Sequence, residues 1–136
     1  MKNKFIEIYG GNPDDIRVFS SAGRVNLIGE HTDYNGGFVF PAAITYSSTI
    51  YVRKTNDGKI KLAASDLPDR VVLDIGKLND YRDLKWGNYQ AGVAYVLQQA
   101  GYDICSCEIL YHDTVPFGSG LSSSAAIEVV MALTLA

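Results

Sequence analysis

The sequence has little of the features that mark several specialised classes of protein. No stretch reaches the roughly 18–20 apolar residues that a membrane-spanning helix requires, and the N-terminal "MKNKFIEIYGG" lacks the apolar core of a secretory signal. Basic residues are scattered and fewer than acidic ones, 12 against 15, which argues against a nucleic-acid surface. We therefore expect a soluble, cytoplasmic protein with no nucleic-acid or membrane partner.

Cysteine is also scarce. Cys105 and Cys107 are the only two in the chain, and no second Cys or His pair completes a metal-binding set. Their simplest interpretation is a pair of buried or half-buried free thiols.

The residues that are present suffice for one domain. A chain of 136 residues that is 47% hydrophobic is long enough to bury a core. In the first half, alternating or apolar segments predict strands, and Asn56-Asp57-Gly58 predicts a hairpin turn between two of them. A short helix is predicted at 4–9, followed by strands at 16–22, 24–30, 36–44, 45–55, 59–65 and 70–78.

In the second half of the chain, the spacing of the apolar residues changes from that of strands to that of helices. From Trp86 to Ala100 apolar residues recur at spacings of three and four, which predicts a helix ending at Gly101. A strand is predicted at 105–115 and an apolar helix at 125–136. Strands followed by helix–strand–helix predict an α+β domain. Because the last helix reaches Ala136 without a termination signal, we expect the chain to be part of a longer protein.

A glycine–serine turn joins the last predicted strand to the last predicted helix, in "VPFGSGLSSSAA" at 115–126. Gly118 and Gly120 let the backbone approach a ligand closely. The free N–H groups and the positive dipole end at the start of a helix favour an anion such as phosphate. The alternative is an ordinary serine N-cap after a glycine turn.

A second polar cluster lies in "GRVNLIGEHTDYNGG" at 23–37. Glu30, His31 and Asp33 form directional hydrogen bonds of the kind that a polyhydroxylated ligand requires. Arg24 nearby is suited to stabilising charge on a transferring phosphate. The alternative is a solvated loop in which Asp33 makes an Asx turn.

Both motifs resemble those of one family. The segment 23–37 resembles the galactokinase signature, and 116–126 resembles the phosphate-binding motif of the GHMP kinases, the superfamily that includes the galactokinases; "WGNYQAGV" at 86–93 fits the same order. The resemblance implies a ribosomal-S5-domain-2-like α+β N-terminal domain. It also implies a galactose-binding segment at about 5–55, an ATP-binding segment at about 86–136, and an absent C-terminal domain. The implied reaction transfers the γ-phosphate of ATP, with Mg²⁺, to the C1 hydroxyl of D-galactose.

The resemblance also implies a role for each matching residue. Arg24 would stabilise the transition state between the donor phosphate and the sugar. Glu30, His31 and Asp33 would hold the sugar hydroxyls, and Thr32 would add main-chain contacts. The residues that would wrap the triphosphate are Gly118, Ser119, Gly120, Leu121, Ser122, Ser123 and Ser124, of which Ser124 would also be a magnesium ligand.

Three further residues match positions near the nucleotide base in the family. They are Ser65, Trp86 and Tyr89. Core packing of the helix is an open alternative for Trp86 and Tyr89, since Trp and Tyr are often mostly buried.

The chain departs from the family pattern in one visible place. Family members usually read Ala-Pro-Gly-Arg where this chain has Ser21-Ala22-Gly23-Arg24. The change frees the φ angle of Ala22 but removes no catalytic group. The family's catalytic Asp, second magnesium carboxylate and third motif lie beyond residue 136, so no residue is assigned as the base, and we expect the 136-residue chain alone to be inactive.

Two other functions stay open at this point. One is phosphorylation of a related sugar such as N-acetylgalactosamine. The other is a non-catalytic regulator that binds galactose and ATP.

Overall fold

The computed structural model describes residues 1–116 and 120–136. It contains three α-helices and five strands among those residues. The helices are α1 (Lys2–Tyr9), α2 (Asn88–Gln99) and α3 (Ser123–Leu135), and the strands are β1 (Arg17–Ile28), β2 (Phe40–Lys54), β3 (Lys59–Ala64), β4 (Arg70–Asp74) and β5 (Cys107–Asp113). Short 3₁₀ helices lie at Pro13–Asp15, Asp33–Asn35 and Ile75–Tyr81.

The strands form one sheet in the order β1-β2-β5-β3-β4. All neighbours are antiparallel except β3 and β5, which are parallel. Helices α2 and α3 pack against each other and cover one face of the sheet. Helix α1 covers the opposite face, where Phe5 is fully buried against Leu110. The predicted α+β class is confirmed.

Strand β5 holds the centre of the sheet because it is apolar on both faces. Ile109 packs in the core beneath α2 and α3, whereas the next residue, Leu110, packs beneath α1. Alternate residues of a strand point to opposite faces, and a strand covered on both sides reads as a continuous buried run. Five consecutive residues of β5 are buried accordingly.

The predicted hairpin at Asn56-Asp57-Gly58 is wrong. β2 pairs with β5, and β3 pairs with β5 and β4, so the two strands that this turn joins are not neighbours. The connection crosses the start of β5 and is fastened there, since Thr55 N–H donates to the Ser106 carbonyl and Gly58 N–H to its hydroxyl. A strong local turn signal carries no information about a later strand that inserts between its two arms.

Several predicted boundaries also differ. The segments predicted as 16–22 and 24–30 are one strand, β1, whose register shifts at Gly23, and 36–55 contributes the single strand β2. Helix α2 begins at Asn88, because Gly87 adopts a left-handed φ of 89°. The predicted strand 70–78 ends at Asp74, whose carboxylate accepts from Gly76 N–H and starts a 3₁₀ turn.

The two cysteines are free thiols, as expected. Cys107 is buried in β5, and burial raises the pKa of its thiol to about 12. Cys105 lies just before β5 and is half-buried. Within the described ranges, no helix combines the length and the apolar character needed to cross a membrane.

Candidate functional site

The polar loop between β1 and β2 is held in shape by its uncharged residues. The Thr32 hydroxyl lies 2.6 Å from the Gly29 carbonyl oxygen and 2.9 Å from that of Phe38, and its own carbonyl accepts from Gly37 N–H at 2.7 Å. The Asn35 amide donates to the His31 carbonyl at 2.9 Å. Gly29 has a φ of 100°, and a Cβ there would lie 2.5 Å from the Phe38 carbonyl oxygen. The loop therefore needs neither of its carboxylates in order to fold.

The carboxylates are left available to a ligand. Glu30 and Asp33 are exposed, and neither side chain forms a hydrogen bond or ion pair with any residue in 1–116 or 120–136. Asp33 begins the 3₁₀ turn but does not cap it, so the Asx turn considered from the sequence is not formed. The carboxylate oxygens are thus free to accept hydrogen bonds from hydroxyl groups.

His31 lies between these carboxylates in an uncommon backbone conformation. Its φ is 60°, a left-handed value that a few per cent of non-glycine residues adopt, His more readily than most. Its Nδ1 lies 2.6 Å from the Tyr34 hydroxyl. The sequence did not single out Tyr34 or Asn35, because turn residues are expected wherever a chain reverses.

Strand β1, which leads into the polar loop, contacts the glycine–serine turn at Arg24. The Arg24 N–H donates to the Leu121 carbonyl at 3.1 Å. The strand β1 approaches so closely because Gly23 has no side chain: a Cβ there would lie 3.0 Å from the Leu121 carbonyl oxygen and 3.1 Å from Ile44 Cδ1. The Arg24 side chain is exposed and pairs with no side chain among the described residues. An exposed guanidinium beside this contact is able to donate paired hydrogen bonds to an anion such as phosphate.

The serines at the start of α3 do not act as caps. Ser122 occupies the N-cap position with a left-handed φ of 60°, and no side-chain oxygen caps the helix. The hydroxyls of Ser122, Ser123 and Ser124 have no hydrogen-bond partner among the residues that the structure describes. Gly120 has a φ of 73°, as a tight turn at this point requires. The simple capping interpretation is therefore wrong, and Gly118 and Ser119 lie outside the described residues.

Thr114 anchors the strand that leads into this turn. Its hydroxyl accepts from Ser47 N–H at 2.9 Å and lies 3.2 Å from the Ser47 carbonyl, while Thr114 N–H donates to the same carbonyl at 2.9 Å. These bonds extend the pairing of β5 with β2 beyond Asp113. Burial raises the pKa of the Asp113 carboxyl above its ordinary value. Nothing in the sequence singled out Thr114, since its partner is distant along the chain.

The three residues matched to the nucleotide base have different surroundings. Tyr89 is 48% exposed and lines an apolar groove of about 650 Å³ between α2 and α3. Trp86 packs against the core beneath the same helices, and its Nε1–H is buried with no partner in the described part of the chain. The Ser65 hydroxyl lies 3.0 Å from His112 Nδ1 at the end of β3.

The turn offers a magnesium ion the hydroxyl groups of the serines at the start of α3. No group of three or more His, Cys, Asp or Glu side chains within 1–116 and 120–136 is arranged to hold a metal. Mg²⁺ commonly binds through substrate phosphates, waters and one or two carboxylates. The free Ser124 hydroxyl fits as one ligand of such an ion, with the others supplied by a bound triphosphate, water and residues outside this set.

Two family models match the chain in the order in which the two motifs occur. Residues 3–54 match the galactokinase galactose-binding signature, and residues 88–136 match the N-terminal domain of the GHMP kinases.

Relatives at about 40% identity span nearly the whole chain. Curated galactokinases from Clostridium tetani and Streptomyces coelicolor are 42% and 43% identical over 99% and 97% of this chain. Each alignment covers 34% of the relative, so the chain spans about a third of the length of the curated relatives it matches.

Solved structures agree with these sequence matches. The structure of Lactococcus lactis galactokinase complexed with galactose matches 98% of this chain, and 35% of that protein, with a TM-score of 0.89 and 40% identity. Methanococcus jannaschii mevalonate kinase shares the fold at 22% identity with a TM-score of 0.72. The chain belongs to the galactokinase family of the GHMP kinases and corresponds to the N-terminal third of its members.

Proposed function

We propose that this chain is the N-terminal part of an ATP-dependent sugar kinase, called the full-length protein below. The kinase transfers the γ-phosphoryl group of ATP to the C1 hydroxyl of D-galactose, giving galactose 1-phosphate. The observation that carries the proposal is the bond from Arg24 N–H to the Leu121 carbonyl. It joins strand β1, which leads into the loop suited to hydroxyl groups, to the turn suited to phosphate. Such a kinase acts where ATP is made and used, in the cytoplasm.

The sugar binds at the polar loop, within the galactose-binding segment at about 5–55. Glu30 and Asp33 accept hydrogen bonds from sugar hydroxyls, and His31 adds a third directional group. Thr32 supports this site by shaping the loop, because its hydroxyl, its N–H and its carbonyl all form hydrogen bonds within the loop. The support for this assignment is that the carboxylates are exposed and unpaired among the described residues, while the uncharged residues hold the loop.

The nucleotide binds at the ATP-binding segment, at about 86–136. The turn Gly118–Ser124 wraps the triphosphate, and the N-terminus of α3 supplies free N–H groups and a favourable dipole. Ser124 offers its hydroxyl to the magnesium ion. Tyr89 contacts the base, and its exposure along an open groove supports this contact. Trp86 and Ser65 match the family's base site but do not line that groove.

Arg24 stabilises the charge that moves between the two substrates. Phosphoryl transfer depends mainly on positioning and on electrostatic stabilisation of the transferring group. A guanidinium donates two parallel hydrogen bonds to phosphate oxygens. A bound Mg²⁺ would add charge neutralisation on the phosphates.

The test is a sugar panel offered to the purified full-length protein with Mg·ATP. We expect phosphorylation of galactose and much slower turnover of N-acetylgalactosamine, glucose and mevalonate, measured as ADP release and as phosphorylated sugar. A preference for N-acetylgalactosamine would mean that this sugar, and not galactose, is the substrate. Binding of galactose and ATP without turnover by folded protein would make the chain part of a regulator. The 136-residue chain alone serves as the negative control, since we expect it to be inactive.

A further inference from the structure

We propose that Tyr34 is a positioning residue that holds His31 in the tautomer protonated on Nε2, so that the loop presents Nε2–H as a donor to a sugar oxygen. The part of this proposal that concerns the sugar rests on the proposed function. The part that concerns the tautomer rests on the loop alone.

The backbone places these two side chains together. The backbone of His31 is in the left-handed conformation, with a φ of 60°. Its carbonyl accepts a hydrogen bond from the Asn35 amide at 2.9 Å. The 3₁₀ turn Asp33–Asn35 follows two residues later and carries Tyr34. The two rings meet edge to face with centroids 6.0 Å apart, and the Tyr34 hydroxyl lies 2.6 Å from Nδ1.

The proton in this hydrogen bond belongs to the tyrosine. A phenol O–H is a good donor, whereas an unprotonated imidazole nitrogen is the stronger acceptor of the two groups. The Tyr34 hydroxyl therefore donates to Nδ1. A neutral imidazole carries one proton, so that proton must be on Nε2. His31 then differs in kind from its neighbours Glu30 and Asp33, which only accept.

A sugar hydroxyl both donates and accepts, so a site with acceptors alone leaves its oxygens unsatisfied. An Nε2–H donor beside two carboxylates gives the site both the donor and the acceptors that sugar hydroxyls need. Tyr34 has no other described polar contact, and its side chain is 72% exposed. It is therefore not needed for the core, and its hydroxyl can be removed without unfolding the chain.

Nitrogen-15 NMR of the 136-residue chain at mildly alkaline pH measures the tautomer directly. The chain has only two histidines, and His112, whose Nδ1 lies 3.0 Å from the Ser65 hydroxyl, is an internal reference; His31→Asn assigns the signals. We expect wild-type His31 to show a protonated Nε2 and an unprotonated Nδ1. In Tyr34→Phe the two His31 signals should move towards each other, with His112 unchanged. Tyr102→Phe, which removes another exposed hydroxyl, should change neither histidine.

A protonated Nδ1 in the wild type, or a His31 spectrum unchanged by Tyr34→Phe, would overturn the proposal. In the full-length protein, Tyr34→Phe should weaken galactose affinity about three- to tenfold, the effect of one hydrogen bond, and leave ATP affinity within about twofold. A tautomer change with unaltered galactose affinity would overturn the sugar part. Failure of the wild type to bind galactose would instead count against the proposed function.

Discussion

At the scale of single residues, the polar loop between β1 and β2 contains side chains that hold its fold and side chains that are available to a ligand. Thr32 and Asn35 fold the loop, and Glu30 and Asp33 remain unpaired among the described residues. The sequence singled out the charged residues as ligand candidates, because charged groups without a structural task stand out in a turn. It could not separate Thr32 from them, since whether a hydroxyl points inwards depends on Gly29 and Phe38 carbonyls that only the folded loop brings near.

Asp33 provides the first residue-scale prediction. Asp33→Ala in the full-length protein should weaken galactose binding by roughly 10–150-fold, the loss of about 1.5–3 kcal/mol for a hydrogen bond to a charged group. ATP affinity should stay within a few-fold, because the phosphate turn is untouched. Calorimetry with each ligand separately measures both, and Asp103→Ala, at another exposed aspartate, is the control. Lost ATP binding with intact galactose binding would reverse the assignment of the two motifs.

Gly29 provides the second residue-scale prediction. Its φ is 100°, and an added Cβ would meet backbone at 2.5 Å, so Gly29→Ala should lower the free energy of unfolding by about 3 kcal/mol. Gly36→Ala is a matched control in the same loop, with a φ of 75° but open space around the added atom. It should cost about 1–2 kcal/mol, from the left-handed conformation alone. Urea unfolding of the chain measures both variants, and equal losses would show that the loop relaxes around the new side chain.

At the scale of elements, sequence patterns gave the strands and helices well and their pairing badly. The buried run of β5 and the period of α2 are local signals, and both elements are present with ends slightly inside the predicted ones. The hairpin at Asn56-Asp57-Gly58 failed because β5, which comes much later in the chain, is apolar on both faces and takes the place between β2 and β3. Local turn chemistry cannot report such an insertion.

The same long-range pairing yields a prediction at Thr114. Thr114→Val removes the hydroxyl that accepts from Ser47 N–H and should lower the free energy of unfolding by about 1 kcal/mol. Hydrogen exchange at the Ser47 amide should become faster. In the full-length protein the KM for ATP should rise several-fold, because the turn is less well anchored. Thr114→Ser keeps the hydroxyl and is the control; equal exchange rates in the two variants would mean that the side chain anchors nothing.

At the scale of the whole molecule, the site is made from two stretches that are far apart in sequence. Either motif alone has an ordinary structural interpretation. The resemblance of both to one family, rather than their spacing, indicates that they belong to one site. The physical reason for their meeting is the close approach of β1 at Gly23 to the Leu121 carbonyl, which no local pattern encodes. Arg24 stands at that contact, and the account depends on it.

Arg24→Lys in the full-length protein therefore tests the central claim most directly, with Arg17→Lys on the same strand as the control. Lysine keeps the charge but loses the forked geometry, so we predict that kcat for galactose falls by roughly 10²-fold, about 2.7 kcal/mol of barrier. Both KM values should stay within several-fold, because the interaction strengthens only as charge develops. A thermal melt confirms that the variant is folded. A folded Arg24→Lys protein whose kcat stays within threefold of wild type would contradict the account, since Arg24 would then serve the structure and not the transfer.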